Sequence, residues 1–208
     1  MAGERLMANS KSNGKRIIVA VSIISALTVL CLCIVTVYAG MFMKSNINDM
    51  EEYCRNKSNK QATGFYSLRF NAIPGYIFAV SQGGNDDYGQ ELFIFRDVNF
   101  GAIKRLALEY HSGKSENKSI GSYQFRPIMN GKQSDDSFLI FYSANEERVE
   151  RVEYTTSYNM DGIDYKIQAT HKLASAMPFI TTGKAMNTSE KVESVCLFDE
   201  NSKLVYKF

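Results

Sequence analysis

From Ile17 to Met43 the chain carries no charged side chain, and from Gly64 onward apolar and polar residues alternate in short runs. A bilayer core about 30 Å thick needs about 20 helical residues, so the uncharged run predicts one membrane-spanning helix over residues 17–43. Ser22, Ser25, Thr28 and Thr36 do not oppose this, because a helical hydroxyl bonds back to a carbonyl one turn earlier. Behind the run, Ile47, Met50, Tyr53 and Cys54 recur at three- to four-residue spacing among Asp49, Glu51, Glu52 and Arg55. That spacing predicts a juxtamembrane helix within residues 44–63, continuous with the span or close behind it. The polar stretch NKSNKQAT over residues 56–63 reads as a linker.

Past Gly64 the period is two. Tyr66, Leu68 and Phe70 alternate with polar residues, as do Leu106, Leu108 and Tyr110, then Ile163, Tyr165, Ile167 and Ala169, and finally Leu204, Tyr206 and Phe208. Each predicts a strand with one buried and one wet face. Leu92–Phe95 and Phe138–Tyr142 are apolar at every position, which predicts central strands covered on both sides. Pro74-Gly75, Gly83-Gly84, Asn130-Gly131 and Asp161-Gly162 punctuate the runs, and residues 199–202 link the last two strands as a tight hairpin. Ala144–Arg151 has room for one helical turn. The expected fold for residues 64–208 is all-β, an antiparallel sandwich or open barrel of about ten strands.

Charge orients the span. Arg5, Lys11, Lys15 and Arg16 stand against Glu4 alone in residues 1–16, a net of +3 in a chain whose total is +2, so the remainder carries −1. Basic residues gather on the cytoplasmic side. The tail is therefore expected inside, and the β domain outside the cell membrane as an extracytoplasmic module. Cleavage after Ala39, which would release a secreted domain, is the rival, but the apolar run exceeds the ~7–15 residues of a leader's core. A near-neutral main domain offers no basic stripe for nucleic acid.

Cys31 and Cys33 fall within the span. Cys54 and Cys196 lie outside it, and in an oxidising compartment they are the one pair available for a disulfide. Enzyme templates with an anchor and a small β domain fit poorly. A sortase-like transpeptidase needs an Arg after its Cys, and no Arg follows Arg151. A signal-peptidase-like serine at Ser45 lacks the residues that family places after it. His111 and His171 read as strand-end histidines, and a cleft holding His111 or Cys196 beside a carboxylate would be the sign of an enzyme. Asn85, Asp86 and Asp87 in the loop Gly83–Gly89 match no calcium pattern and read as a solvated turn. No cofactor and no metal are expected.

No motif carries a family resemblance. Anchor plus small outer β domain is similar in layout to many envelope proteins, which by itself implies no activity. The expected role is a non-catalytic interaction module held by the bilayer beside a membrane or envelope protein partner. The C-terminal strand Lys203, Leu204, Val205, Tyr206, Lys207 and Phe208 is its candidate edge. The alternative is a β-sandwich whose Tyr and Phe rings line a pocket for a small molecule, lipid or glycan.

Overall fold

The protein was analysed as a computed structural model, which describes residues 2–40, 42–44, 46–58, 62–83, 89–113, 120–129, 131–143, 149–173 and 179–207. Helix α1 runs over Ala2–Gly40. Its last 21 residues, Ala20–Gly40, are long and apolar enough to cross a membrane, and none of the β domain covers that stretch except at its very end, where Ala39 is buried. Thr28 and Thr36 return their hydroxyls to the carbonyls of Ile24 and Leu32, at 2.8 and 2.7 Å. The helix stops at Gly40, short of the expected residue 43. Met43 and Lys44 instead form a short strand β1, paired with Leu106 and Arg105.

That strand also separates α1 from helix α2 (Ile47–Lys57), so the two are not continuous. Asn46 caps α2 by accepting the Asp49 amide at 2.8 Å, Asp49 stands in the first turn, and Arg55 and Lys57 in the last. Each choice complements the helix dipole or an orphan amide. One turn apart, Met50 and Cys54 supply the buried stripe.

Fourteen strands are found among the described residues, three of them only two residues long. The first sheet has the order β1-β5-β4-β3-β2, using β2 (Ala62–Leu68), β3 (Tyr76–Gly83), β4 (Gln90–Phe100) and β5 (Ile103–His111). The middle sheet is β12-β9-β6, from β6 (Gly121–Phe125), β9 (Ser137–Ser143) and β12 (Phe179–Ala185). The last sheet is β11-β10-β13-β14, from β10 (Arg151–Met160), β11 (Ile163–Lys172), β13 (Lys191–Phe198) and β14 (Leu204–Lys207). A ribbon of β7 (Ile128–Met129) and β8 (Lys132–Gln133) stands apart. Every pairing is antiparallel.

Three apolar clusters stack these layers. Met50 and Cys54 of α2 meet Ile77, Ala79, Phe93, Phe95 and Leu106 on one face of the first sheet. Its other face gives Phe78, Val80, Leu92 and Ile94, which meet Phe138, Ile140 and Tyr142 of the middle sheet. Leu139 and Phe141, on the far side of β9, meet Val152, Tyr154, Val195 and Leu197 of the last sheet. The expected sandwich is thus three sheets deep with a helix outside. The two runs read as central strands are buried on both faces, as their unbroken apolar character predicts: β9 is buried at all its positions. Ala144–Arg151 lies partly outside the described residues, and Arg151 already belongs to β10.

Candidate functional site

His111 stands beside an acid, Glu91. A bulge sets it there. β4 pairs Phe95 with Leu108 but Ile94 with Tyr110, leaving Glu109 as the extra residue. One extra residue turns every later side chain to the opposite face. Leu106 and Leu108 therefore face α2, whereas Tyr110 faces the middle sheet and stacks on Tyr123 at 3.8 Å. The bulge likewise lays His111 flat on Phe93 at 4.3 Å, with Nε2 3.0 Å from the buried Glu91.

The hydroxyl of Ser58, the residue that ends α2, donates to the same Glu91 oxygen, Oε2. The carboxylate is the hub of this trio. A nucleophile–imidazole–carboxylate relay needs the imidazole in the middle. The trio instead ties together the end of α2, β4 and β5, and gives a buried acid the donors it requires. The neighbouring Cys54 thiol is pushed up by burial and by the Glu91 charge, so it stays protonated and unreactive.

His171 pairs across from Val152 on the inward side of β11, 3.2 Å from the Tyr154 hydroxyl, and burial lowers its pKa. Gly183 of β12 leaves the space this pair fills, since a side chain there would strike the Tyr154 hydroxyl. A second buried acid, Glu190, accepts from Thr156 and from the Met186 amide, closing the turn between β12 and β13 onto β10. Both arrangements tie strands together.

Cys54 and Cys196 are free thiols and the fold does not bring them together. Cys54 lies under α2 in the first sheet's core, whereas Cys196 is half-buried on β13 and lines a shallow groove with Glu153, Gln168 and Lys207 on the last sheet's outer side. Of the calcium candidates, Asn85, Asp86 and Asp87 lie outside the described residues. Among the described residues no three His, Cys, Asp or Glu side chains converge as metal ligands. Phe78, Phe93, Phe95 and Phe141 are wholly buried in the cores. A surface groove between Tyr110, Tyr123, Arg126 and the β7–β8 ribbon is open and mainly polar.

Among the described strands of the three sheets, those of the last one leave large apolar side chains exposed. Among the described residues both its edges, β11 and β14, are unpaired on their outer sides. β14 is the expected C-terminal edge. Within it Leu204 is exposed, Val205 and Tyr206 lie half-buried against the core, and Lys207 is exposed. Lys203 belongs to the turn, where its amide and carbonyl bond Asp199, and Phe208 is outside the described residues.

β11 is longer, and here the expectation of one buried face fails. Its inward row, Ile163, Tyr165, Ile167, Ala169 and His171, pairs with Met160, Tyr158, Thr156, Tyr154 and Val152 of β10. Only the end near Val152 and Tyr154 reaches the middle sheet. Toward the turn the hairpin runs past its neighbours, leaving Met160 52%, Ile163 57% and Tyr165 38% exposed. Tyr158 and Tyr165 stack on each other at 5.1 Å with no further layer above them among the described residues. Periodicity cannot reveal this, because it shows which face is apolar and not whether another layer reaches it.

Comparison with known protein families, with curated proteins and with solved structures finds no match.

Proposed function

We propose that the chain is a single-pass membrane protein, with its basic tail in the cytoplasm and its β stack outside, acting as a non-catalytic interaction module for another membrane or envelope protein. The observation that carries this reading is the uncovered apolar side of the β10–β11 hairpin. An apolar surface rimmed by polar residues is costly to leave in water and commonly marks a contact site. Here Asp164, Lys166 and Gln168 form the polar row on the hairpin's other side. A span fixed to the same domain confines it to the membrane surface and raises its concentration near any membrane partner.

Two contacts favour a retained span over cleavage after Ala39. Arg105 donates to the Ala39 carbonyl at 3.0 Å, and Tyr38 packs edge-on against Phe100 at 5.5 Å. Both involve residues that cleavage would remove, and both fasten the helix end to the β4–β5 hairpin.

A photo-reactive residue at Tyr165, compared with one at the outward-facing Lys132 on β8, tests the reading in native membranes. The expected result is a discrete adduct, identified by mass spectrometry, from position 165 alone. Equal and diffuse labelling from both positions would overturn it.

A further inference from the structure

The outer side of β11 offers more than bare apolar surface: its backbone and its charges specify a partner. The β10–β11 turn has two residues, Asp161 and Gly162, with φ of 54° and 81°. Positive φ at both central positions is the twist-matched hairpin turn, and the pair flanking it, Met160 and Ile163, is hydrogen-bonded. Alternation along an antiparallel ladder then makes Ile163, Tyr165, Ile167, Ala169 and His171 bond to β10. Asp164, Lys166, Gln168, Thr170 and Lys172 point their N–H and C=O groups away from β10. On that side no strand pairs with them among the described residues, and all five side chains are exposed.

We propose that this edge pairs with the same edge of a second copy, antiparallel about a two-fold axis at Gln168. The proposal rests on the interaction reading above and names the partner. Outward-bonding residues must meet outward-bonding residues, so only registers shifted in steps of two are open. In the one centred on Gln168, Asp164 faces Lys172 of the other copy twice, Lys166 faces Thr170 twice, and five outward residues of each strand are matched. Centring on Lys166 sets that lysine against itself. Centring on Ala169 sets Lys166 against Lys172. Like charges placed directly opposite are destabilising and opposite ones stabilising. Lysines are common guards of an edge against indiscriminate pairing. Here they penalise those two rival registers, and the register centred on Ile167, which sets Asp164 against Thr170 and Lys166 against Gln168, lacks the two Asp164–Lys172 pairs that favour the one centred on Gln168. Asp164 also accepts the Asn159 amide at 2.7 Å, which holds its carboxylate at the strand's rim.

Self-pairing joins two four-stranded sheets into one of eight strands. It sets Tyr165 of one copy beside His171 of the other, and Ile163 beside Leu173. The bare rows of the two hairpins then become one apolar face related by the two-fold axis. A two-fold interface is self-complementary by construction, and such dimers are the commonest soluble oligomers.

Disulfide trapping in native membranes tests the register with the full chain carrying Cys31→Ser, Cys33→Ser and Cys196→Ser. Hydrogen-bonded antiparallel partners stand about 5.5 Å apart at Cα, within reach of a disulfide. Under a mild oxidant such as copper-phenanthroline, Gln168→Cys should give a linked dimer. Asp164→Cys and Lys172→Cys should each give little alone and a mixed dimer when co-expressed. Asp164→Lys should lose the Gln168→Cys dimer, and adding Lys172→Asp should restore it. The proposal fails if Gln168→Cys dimerises no more than Ser194→Cys on β13, or if charge reversal is not rescued. Failure here with a distinct adduct still formed from Tyr165 would leave the interaction reading standing with a different partner. Failure of both would remove both.

Discussion

At the scale of single residues, the fold depends on a few close approaches that the pattern of the chain does not announce. Gly121 lies directly across from Tyr142, and any side chain on it would overlap the tyrosine ring. Tyr142 is held in the core between the first and middle sheets and has little room to retreat. Gly121→Ala should therefore cost roughly 1–3 kcal/mol, the range for overpacking a filled core. Denaturant unfolding of the solubilised chain measures it, and an unchanged midpoint would show that the ring moves freely. His171 makes a pH-dependent contribution. Burial favours its neutral form, so its folded pKa lies below the unfolded value of about 6.5. The unfolded chain then binds more protons in the window just below that value, and stability falls as the pH drops through it. The contribution is fully present above the unfolded pKa. His171→Gln should flatten the loss of stability between pH 7 and pH 5. Parallel curves for the two chains would refute the assignment.

At the scale of elements, hydrophobic period was informative wherever burial follows from one strand's own residues. The apolar runs Leu92–Phe95 and Phe138–Tyr142 are two-faced strands because each carries a core on either side. Period failed where geometry between strands intervenes. Leu106, Leu108 and Tyr110 alternate without interruption in sequence, yet the bulge at Glu109 sends the third to the opposite core and brings His111 to Glu91. No residue type announces that bulge. The apolar row of β11 is legible, but its exposure depends on how far the middle sheet extends, which is a property of other strands. Helix α1 ends three residues before the expected Met43 for a similar reason: Phe42 packs on Phe100 and Met43 on the core beside Leu106. The joint between α1 and the β domain is correspondingly specific. A helix ends with spare carbonyls and partial negative charge, and at Ala39 the carbonyl accepts from the Phe42 amide and from the Arg105 guanidinium, whose charge complements the helix end. Arg105→Ala should loosen the joint without unfolding the stack. The expected sign is faster amide hydrogen exchange at residues 42–44, with rates in β9 unchanged. Equal exchange at 42–44 in both chains would show that the aromatic contacts suffice.

At the scale of the whole molecule, the layers form a gradient of coverage. The first sheet is covered by α2 and by the middle sheet, the middle sheet is covered on both faces, and the last sheet is covered on one face only and incompletely. Among the described strands of the three sheets, exposed large apolar side chains thus fall in the last layer, while the helix end is fastened to the first. This division suits a domain that is held at one side and makes contact at another. The proposed topology places this layer, with the exposed Ile163 and Tyr165, outside the cell. Full-length chain tagged at both ends, treated with protease on intact cells, tests this most directly. The C-terminal tag should be removed while the N-terminal tag remains on a membrane-bound fragment. A C-terminal tag shielded until the cells are broken would contradict it.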